Sequence, residues 1–389
     1  MLLPADPRSA MSSSRWKEKF IGPSRPRYTR RDLATFALLV AALTAAIAAF
    51  LLFQNGKGLG TVENPVPEFP GKRQHVRGIE PGDRFVVVPH VDSGATQFPL
   101  AISGDIVVWV SARRGPHATD IFAKNLATGE VFSVCTAPGN QYAPTISGDM
   151  VVWVDERHGA RNADIYGKNL ATGEELPICT DPGRQLHPAI SGNIVVWEDA
   201  RRRGTGPDIV GLDLRTWRRL NVFRWPGRQV DPAVSGDIVV WRDFRNEPER
   251  ADILGYSLLT HKGLVVAMVA NDQGDPSISG TIVAWSGTPT ACRDLATSRW
   301  YILRAGAGRA TNPQVSGHIV VWEDHANPAT VKPGARVRSP VDVWGRDLST
   351  GREFPVRLGD VRALWPVISG NVVVWLENGS SIRGMWLKP

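Results

Sequence analysis

Short apolar runs recur along the chain from about residue 100, each opened by Ser-Gly and closed by Trp. In Ile146-Ser-Gly-Asp-Met-Val-Val-Trp153 a polar turn leads into a strand-length hydrophobic segment, and near-copies end at Trp109, Trp197, Trp241, Trp285, Trp322 and Trp375. Successive Trp residues are 44 apart four times, then 37, then 53. A fixed period of this size marks a propeller or solenoid. With residues 141–180 as the unit, four strands are predicted: Pro144–Ile146 (A), Met150–Val154 (B), Asp164–Leu170 (C) and Glu175–Cys179 (D). The B segment is apolar on both faces, which suits a sheet sandwiched between two others. Gly148-Asp149 and Thr172-Gly173 supply the positive-φ residues of tight hairpins. Four antiparallel strands per period make a propeller blade.

Seven Trp anchors predict seven blades, yet the last unit ends after three strands: Pro366–Ser369, Asn371–Leu376 and Ser381–Leu387. The missing strand is found at the other end of the domain, where Arg84-Phe-Val-Val-Val-Pro89 precedes the first Ser103-Gly104 as a D strand should. The expected fold is therefore an all-β, seven-bladed propeller closed by its N-terminal strand, which removes two exposed sheet edges at once.

The words Ile-Ser-Gly-Asp/Asn, hydrophobic-Val-Val-Trp, Asp-x-Arg, Asp-Ile-Tyr and Leu-Ala-Thr-Gly make residues 84–389 resemble the TolB-like propeller repeats of exported bacterial and archaeal surface proteins. The resemblance implies the fold, and an exported scaffold, receptor or accessory role; it is to the repeats and not to TolB as a whole.

The formal charge of +7 is concentrated in the first 32 residues, where eight basic side chains face Asp6, Glu18 and Asp32. A near-neutral body does not predict a nucleic-acid partner. Residues 33–53 are 21 uncharged residues rich in Ala, Leu and Ile, long enough to cross a bilayer as one helix. The run exceeds the roughly 7–15 residues of a cleaved signal's apolar region. With Arg25, Arg27, Arg30 and Arg31 on its N-terminal flank, residues 1–32 are expected in the cytoplasm and the propeller outside a cell membrane crossed once. Residues 54–82, rich in Gly and Pro, read as a linker to a propeller over 83–389. Cys135, Cys179 and Cys292 have no metal-site spacing and read as buried small hydrophobes.

One polar pair repeats with the blades. Arg113 and Asp120, Arg157 and Asp164, Arg201 and Asp208, and Arg245 and Asp252 each lie seven residues apart. They are expected to face each other as structural ion pairs across the B–C loop neck, with Asp155, Asp199 and Asp243 in the same network. The fifth unit lacks the pair and is seven residues short, so its C strand, near Cys292 to Ala296, should be stunted.

Function is sought where the repeats differ. The residue before strand A borders the channel mouth in each blade: Phe98, Ala143, His187, Asp231, Asp275, Asn312 and Trp365. Closure makes Phe98 and Trp365 an aromatic arc, while His187, Asp231, Asp275 and Asn312 form a polar one. Such an arc serves as a binding surface, as turn caps in Asp-Pro dipeptides, or as oxygen ligands for a calcium ion. On the same loop face lie Trp225 and Arg228, and a long sixth-blade loop with Lys332, Arg336 and Arg338. This composition fits a protein, peptide or cell-wall glycan partner. No nucleophile elbow, phosphate-binding glycine loop, H-E-x-x-H or C-x-x-C is present. The expectation is a binding or scaffold module without a cofactor. The alternatives are a glycan hydrolase or lyase using Asp231 and Asp275, and a purely structural surface protein.

Overall fold

The computed structural model describes residues 80–88, 100–112, 119–201, 206–223, 226–269, 271–303, 309–325, 341–359 and 361–388. The expected membrane segment, 33–53, lies outside them; among the described residues no helix is long and apolar enough to cross a membrane. The strands run in chain order. The N-terminal strand is β1 (Glu80–Val88). Blade 1 is β2 (Ala101–Ser103), β3 (Ile106–Ala112), β4 (Thr119–Asn125) and β5 (Val131–Cys135). Blade 2 is β6 (Gln141–Ser147), β7 (Met150–Asp155), β8 (Asp164–Asn169) and β9 (Glu175–Cys179). Blade 3 is β10 (Gln185–Ser191), β11 (Ile194–Asp199), β12 (Asp208–Asp213) and β13 (Arg218–Phe223), and blade 4 is β14 (Gln229–Ser235), β15 (Ile238–Glu247), β16 (Arg250–Ser257) and β17 (Lys262–Ala267). Blade 5 is β18 (Pro276–Ser279), β19 (Ile282–Trp285), β20 (Ala291–Asp294) and β21 (Trp300–Ile302). Blade 6 is β22 (Arg309–Ser316), β23 (Ile319–His325), β24 (Val341–Asp347) and β25 (Glu353–Arg357); β26 (Ala363–Ser369), β27 (Val372–Glu377) and β28 (Ser381–Lys388) follow.

Each blade is a four-stranded antiparallel sheet, and the seventh has the order β1-β28-β27-β26. The predicted closure is present, with β1 beginning at Glu80 rather than Arg84. In blade 6 the Phe354 ring lies over Gly345, its cross-strand partner; in blade 7 Phe85 lies over Gly384 in the same way, and a Cβ on Gly384 would come 2.4 Å from the Phe85 ring. The strand from the far end of the domain thus packs as an ordinary D strand. Blade 5 is stunted as expected, with no strand longer than four residues.

The Trp anchors are all buried, because each B strand has a sheet on either side. Val87 of β1, Val374 and Ile382 of blade 7, and Val108 and Trp109 of blade 1 belong to one hydrophobic cluster, so the core runs through the closure. A polar ring accompanies it. The hydroxyl of the repeated Ser accepts the N–H of the repeated Gly in the next blade at 2.9–3.0 Å, seven times, from Ser103 and Gly148 round to Ser369 and Gly104. All three cysteines are free and buried.

The charged repeat differs from expectation in its pairing, although Asp155, Asp199 and Asp243 belong to its network as expected. Arg157 forks Nε and Nη2 onto Asp155 at 3.0 and 2.7 Å and extends Nη1 to Glu175 at 2.8 Å. Asp164 instead accepts His158 Nδ1 at 2.7 Å. The cause is local: the Arg157 backbone N–H also donates to Asp155 Oδ1, at 2.9 Å, and this turn folds the arginine back onto the end of its own strand. Arg201 on Asp199 and Arg245 on Asp243 repeat the arrangement. Asp208 is the cross-strand partner of Asp199, Asp120 pairs in register with Ser111, and Asp252 accepts Asn246 Nδ2 at 2.9 Å. Arg113 lies outside the described residues.

Candidate functional site

Two positions per blade contribute the residues expected at the channel mouth. One is the residue before proline in the first strand. Ala143, His187, Asp231, Asn312 and Trp365 all adopt the left-handed region, with φ of 46–53°. The pairing register jumps at each of them, from Leu186 to Ala189 in β10 and from Val230 to Ala233 in β14. Proline has no N–H for the ladder, so the dipeptide is accommodated as a bulge. The other position is the residue after the anchor Trp: Val110, Val154, Glu198, Arg242, Ser286, Glu323 and Leu376.

Where this second residue accepts hydrogen bonds, it captures the N–H of the next blade's bulge. Glu198 Oε1 accepts the Asp231 N–H at 2.7 Å, Ser286 Oγ that of Asn312 at 3.0 Å, and Glu323 Oε1 that of Trp365 at 2.6 Å. Burial of these acceptors is compensated because each satisfies a donor that the bulge takes out of the sheet. Sequence reasoning missed Glu198, Arg242 and Glu323. Their signal was a charge directly after Trp in an otherwise apolar strand.

The polar arc divides into two clusters. In blades 3 to 5, His187 Nδ1 lies 2.7 Å from Glu198 Oε1 and 3.9 Å from Asp231 Oδ1. An ionised Glu198 has no hydrogen to give, so Nδ1 donates and Nε2 is the unprotonated nitrogen of the neutral ring. The hydrogen bond to Glu198 raises the pKa of His187 above the usual imidazole value; burial opposes this, and the charges of Glu198, Asp231 and Asp275 add to it. Arg242 joins the aspartates: Nη1 is 3.1 Å from Asp231 Oδ2 and 3.3 Å from Asp275 Oδ1, and Nε donates to the Gln273 carbonyl at 2.9 Å. Desolvation by the surrounding protein, and then the charge of Asp231, push the Asp275 carboxyl up, against Arg242 and His187. Arg228 is exposed and stacks 4.7 Å from the Phe244 ring, with Arg242 5.2 Å from that ring.

Asn312 belongs to the second cluster. Its Nδ2 donates to Glu323 Oε1 at 2.8 Å, while Thr311 Oγ1 lies 3.0 Å and His325 Nε2 3.2 Å from Glu323 Oε2. Burial acts to raise the Glu323 pKa, but the hydrogen bonds from His325, Trp365, Asn312 and Thr311 together hold it below the ordinary value. Trp365 is partly buried against the core shared by blades 7, 1 and 2. Phe98, Trp225, Lys332, Arg336 and Arg338 lie outside the described residues.

Potential metal-ligand atoms of His187, Glu198 and Asp231 lie within 4.8 Å of one another, the one such group among the described residues. A calcium ion between Asp231 and Asp275 would have to displace the Arg242 guanidinium, which already supplies positive charge there.

No protein-family model matches the chain, and no curated protein matches it in sequence. Solved structures do match in fold. The β-propeller domain of the Trilobed protease from Pyrococcus furiosus, which has an open velcro topology, superposes with a TM-score of 0.58 at 14% identity, over 76% of this chain and 95% of that one. An oligogalacturonate lyase in complex with manganese gives 0.54 at 11% identity, over 79% and 98%. Pyrococcus horikoshii acylaminoacyl peptidase gives 0.53 at 11% identity, over 74% of this chain and 50% of that one. At these identities the likeness establishes a propeller and leaves the activity to the site.

Proposed function

We propose that this chain is a binding module: a propeller of TolB-like repeats, held outside the cell membrane by residues 33–53, that engages a protein, peptide or cell-wall glycan through its channel mouth and loop face. The observation that carries the reading is the cluster of His187, Asp231, Arg242 and Asp275, which places donors and acceptors of both charges at the point where the repeats stop agreeing. A peptide end or a polar glycan presents the matching groups. Phe98 and Trp365 would supply the apolar side of the mouth, and Trp225, Lys332, Arg336 and Arg338 the outer contacts. The Arg–Asp pairs of the repeat serve the fold.

A glycan hydrolase or lyase using Asp231 and Asp275 is the competing reading, favoured by the proximity of both carboxylates to one Arg242 nitrogen. The two readings separate in the Asp231→Asn, Asp275→Asn double variant, which keeps shape and hydrogen bonding while removing charge. A binding module retains measurable partner capture from native membranes; an enzyme loses turnover on an oligosaccharide panel. Recovery of nothing above background with the full chain as bait overturns the binding reading and leaves a structural surface protein.

A further inference from the structure

The end of the propeller opposite His187 carries a second feature. There the A–B turns meet the C–D turns, as the Leu170 N–H bonding to the Asp149 carbonyl at 2.7 Å shows. Between blades 2 and 3 this end opens into a groove of about 540 Å³, lined on its apolar side by Met150, Leu176, Leu214 and Trp217. Its polar lining includes Asp149, Asn169, Glu174 and Asn193. The volume is that of an ordinary small-ligand site.

Trp217 is the informative residue. The C–D turn requires a left-handed residue, and blades 1, 2 and 6 place Gly129, Gly173 and Gly351 there, at φ of 75–78°. Blades 4 and 5 use His261 and Ser298, and only blade 3 uses an indole, at φ 53°. A bulky side chain is disfavoured in this conformation. The residue is also 51% exposed, so burial does not offset the penalty. The turn imposes the conformation in every blade that has it, and what sets blade 3 apart is a large indole left exposed beside the groove. Beside the ring, the side chains of Asp149, Glu174 and Asn193 have no hydrogen-bond or ion-pair partner among the described residues.

We propose that this groove is a subsite for an uncharged carbohydrate. The indole offers a flat apolar face for the C–H side of a pyranose, and the carboxylates and amides pair with its hydroxyls. Charge selects against other ligands. The lining contains no basic side chain, which disfavours uronates and phosphates. Arg218, exposed beside Trp217 in the same turn, adds a positive charge there and disfavours a cation, while Arg215 is taken by Asp213 at 3.8 Å.

The test is binding of the full chain, in lipid nanodiscs because glycoside detergents would compete, to immobilised oligomers of glucose, mannose and N-acetylglucosamine. Uronate oligomers and a lysine-rich peptide are run in parallel. Binding to at least one neutral oligomer should fall tenfold or more in Trp217→Gly, with the melting temperature kept or raised, since this turn takes glycine in other blades. Should that variant fail to fold, Trp217→His, the residue type of blade 4, replaces it with the same expectation. Absence of neutral-oligomer binding, equal binding by the variant, or signal confined to uronates or the peptide overturns the proposal. Leu259→Ser, in the exposed C–D turn of blade 4, should leave this binding unchanged; parallel loss there would also overturn it.

Discussion

The Gly104 N–H donates to Ser369 Oγ at 3.0 Å, joining the first blade to the last across 265 residues with the same bond that links every other adjacent pair of blades. Closure is therefore made twice, by this contact on the ring and by β1 on the rim. The two should differ in weight. Ser369→Ala removes one exposed hydrogen bond and should cost about 0.5–1.5 kcal/mol in denaturant unfolding. Deletion through Val88 strips Val87 and Phe85 from the core and bares the β28 edge, so it should lower the melting temperature far more and promote aggregation, read by calorimetry and light scattering.

Glu198 should behave as a clasp between blades 3 and 4. Glu198→Ala leaves the Asp231 N–H without its acceptor and should cost about 1–3 kcal/mol. Glu198→Gln keeps a carbonyl oxygen there and should lose less. Equal losses in the two variants would show that charge, and not the acceptor, matters.

Asp155 is fully buried, takes the Trp153 Nε1 hydrogen at 2.9 Å and receives the fork of Arg157. Burial acts to raise its pKa, and the hydrogen bonds from Arg157 and Trp153 outweigh it to hold the group low. Asp155→Ala should cost about 3–5 kcal/mol by stranding its partners, with chemical denaturation as the readout.

His187 predicts a pH dependence with a definite sign. Its folded pKa is raised, so the pairing with Glu198 contributes stability fully below the ordinary imidazole value, about 6.5, and loses it as pH rises through the folded value. His187→Asn reproduces the Asn312 and Glu323 geometry without a titrating ring. The difference in melting temperature between wild type and variant should shrink or reverse from about pH 5.5 to about pH 8.5. Asp275, also raised, acts in the same direction from the carboxylate range, and adding Asp275→Asn separates the two.

The thiols should be inert in the folded protein. Burial pushes Cys135 up to about 11 and raises Cys179 and Cys292 as well, leaving little thiolate at neutral pH. A thiol reagent at about pH 8 should titrate none of them promptly in buffer and all three in denaturant.

The blades were legible along the chain because their causes are local and repeated. Apolar runs of strand length, Ser-Gly turns and Trp anchors recur at a fixed period, and the strand-like run near Phe85 fell at the D position ahead of the first Ser-Gly, where it completes the seventh sheet. The left-over variation singled out His187, Asp231, Asp275 and Asn312, which the structure divides between two polar clusters. What linear spacing did not show was which side chains meet across blades. Asn312 has its own carboxylate in Glu323, Arg242 reaches one aspartate in β14 and another just before β18, and Arg157 turns back to Asp155 instead of crossing to Asp164. Period and strand number follow from hydrophobic order within one unit, which the amino-acid sequence alone specifies. The contacts at the mouth depend on how bulges aim residues between units, and only the closed ring brings those positions within hydrogen-bonding distance.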